Sequence, residues 1–278
     1  MAVRVGIGGW TYEPWRGLFY PPGLAQAKEL AFAGNALKTL EINGTFYRTP
    51  TAKACADWAR QVPEDFVFAV KATRYVTHRK VLAEAQESIG KFIGSGIVEL
   101  GDKLGPINWQ FAATKAFDPE DFAAFLALLP AAHAGVALRH AVEVRHASFA
   151  TPEAVALMRR HKVAIIFADH AEYPAIPDAT ADFTYARLQQ AQAGIATGYD
   201  APALVRWAQA AGAWAGGRMP EGLAAVGESP PPPKARGKAA QDAASGSRDV
   251  FIYFINGAKE RAPAGAMALQ TLVGAPAA

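Results

Sequence analysis

The sequence has a single cysteine, Cys55, and no apolar run that reaches about 18 residues. One cysteine excludes an intramolecular disulfide, and its place in the helix-like segment 51–61 predicts a buried structural thiol, not a nucleophile. The N-terminal residues lack the basic and apolar regions of a signal peptide. Together these absences predict a cytoplasmic protein that is neither exported nor inserted in a membrane.

Two motif classes are also missing, the glycine-rich phosphate-binding fingerprint and the Cys/His spacing of zinc sites. The segment GIGGW at 6–10 is typical of a tight turn at a strand end. The formal net charge of +3 permits an anionic ligand but falls short of the dense basic clustering of a dedicated nucleic-acid binder. We therefore expect neither an organic cofactor nor a bound metal.

What the sequence does contain is an alternation of short apolar strands and helix-like segments, which favours a parallel α/β fold. A single (β/α)8 TIM barrel of roughly 250 residues would use nearly the whole chain, whose 278 residues are 51% hydrophobic. The predicted strands are 3–8, 39–43, 66–71, 107–111, 141–145, 163–169, 183–188 and 250–256. The predicted helices are 24–36, 51–61, 80–94, 119–129, 152–161, 201–215 and 264–273.

Two segments interrupt this alternation. Residues 170–182 contain two prolines and little periodicity, so the helix between strands six and seven is predicted to be short or missing. Residues 216–248 are rich in glycine and alanine and include four consecutive prolines. They predict a mobile insertion at the N-terminal end of the strands, within a single domain spanning 1–278.

Polar residues gather where the predicted strands end. Because side chains alternate along a strand, Glu41 and Asn43 share one face, and Glu143 shares a face with Arg145. By the same alternation, Lys71 lies on the face of its strand that is predicted to point inward. Other strand ends carry Gln110, Asp169, Arg187 and Asn256. The alternation of side chains does not by itself fix the orientation of these four residues. Active sites of such barrels lie at this end, which predicts a polar pocket of mixed charge. The alternative is a buried salt-bridge network that binds nothing, with Glu41/Lys71 and Glu143/Arg145 as candidate pairs.

Several segments resemble the successive motifs of the YecE-like family, also called domain of unknown function 72. They are GGWTYEPWRGLFYPPGL, TLEINGTFYRTP, FVFAVKATRYVTH, LGDKLGPINWQF, AVEVRHASF and TADFTYARL, and the resemblance covers about 4–210 and 249–272. It implies a TIM barrel with a polar pocket, distantly similar in architecture to endonuclease IV and xylose-isomerase-type enzymes. The resemblance implies no particular reaction.

The family's motif positions fall on Gly9, Trp10, Tyr12, Trp15, Glu41, Asn43, Phe46, Tyr47, Lys71, Gln110, Glu143, Arg145, His146, Asp169 and Arg187. The chain departs from the family pattern late in the sequence. Relatives usually continue RLHG where this chain has Arg187-Leu188-Gln189-Gln190, and a YFNND pattern is replaced around Asn256. Ligand contacts at those positions are therefore expected to differ in this chain.

Three chemistries fit these residues. The favoured one is metal-independent acid/base conversion, or binding alone, of a small phosphorylated or carboxylated molecule, with Glu143 or Glu41 as base and Lys71 stabilising negative charge. The predicted ligand-binding residues are Trp10, Tyr12, Asn43, Tyr47, Gln110, Arg145, His146, Asp169, Arg187 and Asn256.

Two alternatives remain open beside it. Nucleic-acid binding or metal-dependent phosphoester hydrolysis of the endonuclease IV type would use basic and aromatic loop residues for phosphates and bases. Its metal ligands would come from Glu41, Glu143, His146 and Asp169. The cations of the same pocket would oppose such a metal. The other alternative is a non-catalytic structural or adaptor protein.

Overall fold

The structure is a computed structural model that describes residues 2–228 and 247–274. Eight parallel strands form a closed barrel, in which each strand pairs with its neighbours along the chain and the first pairs with the last. They are β1 (Val3–Gly8), β2 (Thr39–Ile42), β3 (Val67–Lys71), β4 (Leu104–Gln110), β5 (His140–Glu143), β6 (Ala164–Asp169), β7 (Phe183–Leu188) and β8 (Asp249–Phe254). The (β/α)8 barrel predicted from the sequence is confirmed.

The helices that surround the barrel are α1 (Glu29–Ala36), α2 (Ala52–Arg60), α3 (Arg74–Thr77), α4 (Gln86–Ile93), α5 (Pro119–Leu128), α6 (Pro152–Arg160), α7 (Ala201–Ala215) and α8 (Ala262–Gly274). Five of them begin after a residue whose side-chain oxygen accepts a hydrogen bond from a first-turn amide. These residues are Thr51, Thr73, Asp118, Thr151 and Asp200. Such caps satisfy amides that have no partner within the helix, which fixes where each helix starts.

The predicted gap in the helical layer is also confirmed, because residues 170–182 between β6 and β7 contain no helix. Two tryptophans of helix α7 instead pack against Phe167 of β6. The ring centres of Trp207 and Trp214 lie 5.7 and 5.4 Å from that of Phe167. Burial of these rings replaces part of the packing that the missing helix would supply.

The segment predicted as a mobile insertion is only partly described, since residues 229–246 lie outside the described residues. The described flank, 216–228, is anchored to the helix-free segment. The amides of Val226 and Gly227 donate to the Asp178 carboxylate at 2.8 and 3.0 Å. Arg159 of α6 donates to the carbonyl of Glu228 at 3.1 Å. This flank therefore lies beside α6, on the segment that lacks a helix.

Cys55 is fully buried between α2 and the rest of the core. Burial raises the pKa of its thiol to about 11. The predicted burial is confirmed, and a thiol with this pKa is protonated at neutral pH and therefore weakly nucleophilic. In residues 2–228 and 247–274, no helix is long and apolar enough to cross a bilayer.

Candidate functional site

Two carboxylates lie inside the barrel near the carboxyl ends of the strands. Glu41 on β2 and Glu143 on β5 are both 0% exposed. The neighbours of Glu41 in the register are Gly8 on β1 and Ala69 on β3, which are small enough to leave room for its side chain. Burying a charged carboxylate costs several kcal/mol unless it is paired and hydrogen-bonded, so both groups need partners.

Arg187 on β7 is the partner that the two carboxylates share. Its Nη2 donates to Glu41 Oε1 at 2.9 Å, and its Nη1 donates to Glu143 Oε2. The guanidinium is 2% exposed. Although burial disfavours its charge, the two carboxylates raise the pKa of Arg187 above its ordinary value. The three side chains form a buried bridge across the barrel, which we call the Arg187 bridge.

Glu143 has two further donors. Gln110 Nε2 donates to its Oε2 at 2.8 Å, and Arg145 Nε donates to its Oε1 at 2.9 Å. Burial by itself would raise the pKa of Glu143, but the charges of Arg187 and Arg145 outweigh it and hold the pKa at about 2. The Glu143/Arg145 pair considered from the sequence therefore forms. Glu41 pairs with Arg187 and not with Lys71.

Lys71 ends β3 beside this bridge. Among the residues that the structure describes, its Nζ has no hydrogen-bond acceptor, and the ring centre of Phe46 lies 4.0 Å away. Burial and the charge of Arg187 lower the pKa of Lys71 to about 8, although Glu41 and Glu143 act in the opposite direction. The ammonium is thus next to four charged groups without being tied to any of them.

Arg145 also retains free donors. Within the described part of the chain, only its Nε has an acceptor, and its guanidinium lies 4.6 Å from the ring centre of Tyr173. Its side chain is 18% exposed. Lys71 and Arg145 together present unused cationic donors at the open end of the barrel.

Three residues predicted for the site from the sequence lie apart from the Arg187 bridge and bond elsewhere. His146 Nδ1 is hydrogen-bonded to Ser148, where it caps the short helical turn 147–149. Asp169 accepts hydrogen bonds from Tyr199 and Gln190 and lines a separate cavity of about 420 Å³. Asn256 donates to Gln189 at 3.1 Å. The residues that replace the family's RLHG pattern, Gln189 and Gln190, are thus the partners of Asn256 and Asp169.

The predicted aromatic residues lie in the first two loops at the barrel mouth. Trp10 packs edge to face on Trp58, with ring centres 5.4 Å apart. Tyr12 packs on Trp15 at 5.2 Å. Tyr47 is 66% exposed. Asn43 follows β2 and has a buried Oδ1 without a hydrogen-bond partner in the described residues.

The four residues considered as metal ligands do not converge. Glu41 and Glu143 are joined through Arg187, whereas His146 and Asp169 have their own partners in other loops. In residues 2–228 and 247–274, no group of three His, Cys, Asp or Glu side chains is placed to hold a metal ion. The positively charged Arg187 occupies the position between the two buried carboxylates.

Two buried residues of the site were missed by reasoning from the sequence. Asn108 Nδ2 donates to Glu41 Oε2 at 3.0 Å, and the Tyr185 hydroxyl donates to the same oxygen. Burial and the charge of Glu41 raise the pKa of Tyr185 well above its ordinary value. Each lies two residues before a predicted site residue, Gln110 or Arg187, so alternation places it on the same face as that residue. The sequence did not show that this face points inward.

Comparison with known proteins places these residues in a family. The family model "Protein of unknown function DUF72" matches residues 4–278. UPF0759 protein YecE of Escherichia coli (strain K12) is 27% identical over 150 residues, which are 53% of this chain and 50% of YecE. UPF0759 protein YunF of Bacillus subtilis (strain 168) is 29% identical over 75 residues, 27% of this chain and 26% of YunF. The chain spans about half or less of the length of these curated relatives in the matched regions.

Solved structures extend the likeness over the whole fold. A DUF72 family protein from Thermotoga maritima MSB8 superposes with a TM-score of 0.70 and 20% identity, covering 98% of this chain and 99% of that one. Another, from Enterococcus faecalis V583, has a TM-score of 0.64 and 17% identity, covering 99% and 98%. The barrel is shared although few residues are identical. With a family model that matches nearly its whole length, the chain belongs to the DUF72 family, whose function is unknown.

Proposed function

We propose that the protein binds a small anionic molecule, phosphorylated or carboxylated, at the carboxyl ends of the barrel strands, and that Lys71 provides acid–base capacity there. The observation that carries this proposal is the set of unused donors on Lys71 and Arg145. Three cations surround the two buried carboxylates, so the formal charge of the group leaves one positive charge for a ligand. Charge-assisted hydrogen bonds to phosphate or carboxylate oxygens would use these donors.

The proposal gives the carboxylates a different role from the base considered in the sequence analysis. Both oxygens of Glu143 already accept hydrogen bonds, and a pKa of about 2 leaves it a weak proton acceptor at neutral pH. Glu41 likewise receives bonds at both oxygens. In the proposed site they hold Arg187. Lys71, with a pKa of about 8, is partly neutral near physiological pH and is the better base.

Titration of the protein with inorganic phosphate by calorimetry tests the proposal. We expect binding that weakens as the pH rises through about 8, because the Lys71 ammonium loses its charge there. We expect Lys71→Met to lower the affinity about tenfold, the loss of one hydrogen bond to a charged group, and to remove that pH step. Arg145→Met should lower the affinity by a similar factor.

The matched control is Lys91→Met, since Lys91 is an exposed lysine of α4 paired with Glu87. It should bind phosphate as the parent does. If phosphate and small carboxylates fail to bind the parent protein at millimolar concentration, the proposed function is wrong. In that case the Arg187 bridge serves the stability of the barrel alone, as the structural or adaptor alternative holds.

A second candidate function is binding of single-stranded nucleic acid at the mouth of the barrel. Arg74 favours it, because its guanidinium lies 5.7 and 5.9 Å from the ring centres of Tyr47 and Tyr75, which are 66% and 63% exposed. Exposed rings beside cations suit stacked bases and phosphates. Oligonucleotide binding would then fall steeply with salt, and Arg74→Ala would weaken it more than Lys71→Met. Loss of phosphoester cleavage on chelation would instead favour the metal-dependent alternative.

A further inference from the structure

A second cavity opens at the same end of the barrel as Lys71. It has a volume of about 580 Å³ and lies between the loops that follow β1 and β2, with the start of α2 as one wall. We call it the tryptophan cleft, because Trp10 and Trp58 line it together with Asn43, Arg48 and Lys259. Lys71 and Arg145, whose unused donors carry the proposed function, are not part of its lining, and neither is the Arg187 bridge.

The aromatic wall of the cleft offers surface for stacking. Trp10 and Trp58 meet edge to face at an interplanar angle of 72°, and both are only partly buried. Trp10 comes from the first loop and Trp58 from α2, so the wall joins two elements. A planar group that enters the cleft can pack on an indole face, an arrangement that aromatic rings favour over contact with an aliphatic ring.

An unused acceptor lies next to this wall. The Oδ1 of Asn43 is buried without a partner among the described residues. Gly8 makes room for this amide, since a Cβ at position 8 would lie 2.7 Å from Asn43 Nδ2. Leaving a buried acceptor unpaired costs about 1–3 kcal/mol, so a ligand that donates an N–H or O–H here would remove a penalty.

The cleft is also positively charged. Arg48 and Lys259 line it, and in the described ranges neither is within 4.0 Å of a carboxylate. The Lys259 ammonium lies 4.4 Å from the ring centre of Tyr12 and 5.4 Å from that of Trp15, which hold it at the cleft wall. Two unpaired cations favour entry of a ligand that carries negative charge.

The tryptophan cleft and the Lys71 site are neighbours along β2 and its loop. Asn43 follows Glu41 by two residues in the chain, and Thr45, which lines the cleft, donates to the carbonyl of Lys71 at 2.6 Å. We infer that the cleft holds the planar ring of the anionic ligand whose charged group binds Lys71 and Arg145. The ligand class is therefore an aromatic or heteroaromatic phosphate or carboxylate. This inference rests on the proposed function, because it adds a second subsite for the same ligand.

A comparison of phenyl phosphate with cyclohexyl phosphate tests the inference on the parent protein. The two probes share the phosphate and a six-membered ring, but only one ring is planar and aromatic. We expect phenyl phosphate to bind about tenfold more tightly, as stacking on an exposed aromatic side chain provides. Trp58→Leu should reduce the preference to within about twofold, whereas Trp58→Phe should keep most of it. The control is Trp207→Leu, because Trp207 is a partly buried tryptophan of α7 that lines the separate cavity beside Asp169.

Equal affinity for the two probes in the parent protein would overturn the inference, and so would a preference that survives in folded Trp58→Leu. The comparison of probes needs no variant, so it decides the question even if Trp58→Leu fails to fold. Inorganic phosphate separates the two proposals. If phosphate binds through Lys71 without any aromatic preference, the cleft inference fails alone. If neither phosphate nor either probe binds, the proposed function fails as well.

Discussion

At the scale of single residues, the charges of the Arg187 bridge can be buried only because each of them is paired with another. Arg187 is 2% exposed and contacts two carboxylates that are 0% exposed. Desolvation of such ions costs several kcal/mol each, and their mutual attraction offsets that cost only while every partner is present. The bridge is therefore sensitive to the loss of one member. Lys71 and Arg145 lie beside this bridge, and their unused donors are the ones that the proposed ligand would contact.

Substitution of Glu143 by Gln tests this dependence. We expect Glu143→Gln to lower the free energy of unfolding by about 3 kcal/mol at pH 7, because the buried cations lose a counter-charge. The folded pKa of about 2 lies below the ordinary 4.5, so the carboxylate stabilises the fold above pH 4.5 and loses this effect as the pH falls toward 2. Denaturant unfolding from pH 7 to 2 should therefore show the two proteins converging in acid.

The control for that comparison is Asp57→Asn. Asp57 pairs with Lys53 and Arg60 on the exposed side of α2, where its side chain is 34% exposed. Exposed pairs of this kind contribute less than about 1 kcal/mol. An equal cost for the two substitutions would mean that burial does not govern the energy of the Arg187 bridge.

At the scale of elements, the barrel compensates for a missing helix with non-helical chain. Residues 170–182 contain Asp178, which is 6% exposed and accepts two amide hydrogen bonds from the flank 216–228. Gly227 in that flank approaches α6 so closely that a Cβ there would lie 2.4 Å from Val155 Cγ1. The layer outside β6 is thus closed by the loop 170–182 and by the flank 216–228, which is hydrogen-bonded to it.

Removal of the Asp178 carboxylate tests this closure. We expect Asp178→Ala to lower the free energy of unfolding by about 1–3 kcal/mol, because two partly buried amides lose their acceptor. Hydrogen exchange at Val226 and Gly227 should accelerate in the variant. Glu221→Ala, an exposed position in the same flank, serves as the control and should change neither quantity. Unchanged exchange at both amides in Asp178→Ala would show that other contacts hold the flank.

At the scale of the whole molecule, the barrel closes where the first strand lies between the second and the last. β1 pairs with β8 from Val3 to Ile7, and with β2 from Gly6. Inside the barrel the Thr39 and Tyr253 hydroxyls hydrogen-bond at 2.7 Å. Position 6 allows no side chain, since a Cβ would lie 1.9 Å from the Thr39 carbonyl oxygen. Closure therefore depends on a glycine at this point.

Substitution of Gly6 by Ala tests barrel closure as a whole. We expect Gly6→Ala to cost at least about 3 kcal/mol of unfolding free energy, because the clash is with backbone that cannot rotate away. Gly212→Ala is the matched control, because nothing lies within 4 Å of a Cβ there and α7 would gain about 0.5–1 kcal/mol. Thermal unfolding of both variants measures the difference. A Gly6→Ala protein as stable as the parent would contradict this closure.

The fold was predictable from the sequence because its signals are local. β1 and β7 match the predicted ranges 3–8 and 183–188 at both ends, since a short, mostly apolar run indicates a buried strand without reference to the rest of the chain. Helix α2 begins after Thr51, whose capping oxygen is also a local feature. Likewise, two prolines and the lack of periodicity in 170–182 indicated a short or missing helix.

The candidate site was predictable only in part. Alternation along each strand correctly turned Glu41, Lys71 and Glu143 inward, because the pleat fixes the side of the sheet. It did not reveal that Arg187 bonds to carboxylates 44 and 146 residues away, or that Asp169 bonds to Tyr199. Such pairs form across the barrel or between loops, where distance depends on closure and not on spacing in the chain. The sequence alone therefore determined the strands and their inward faces, whereas the closed barrel decided which charges meet and which donors stay free.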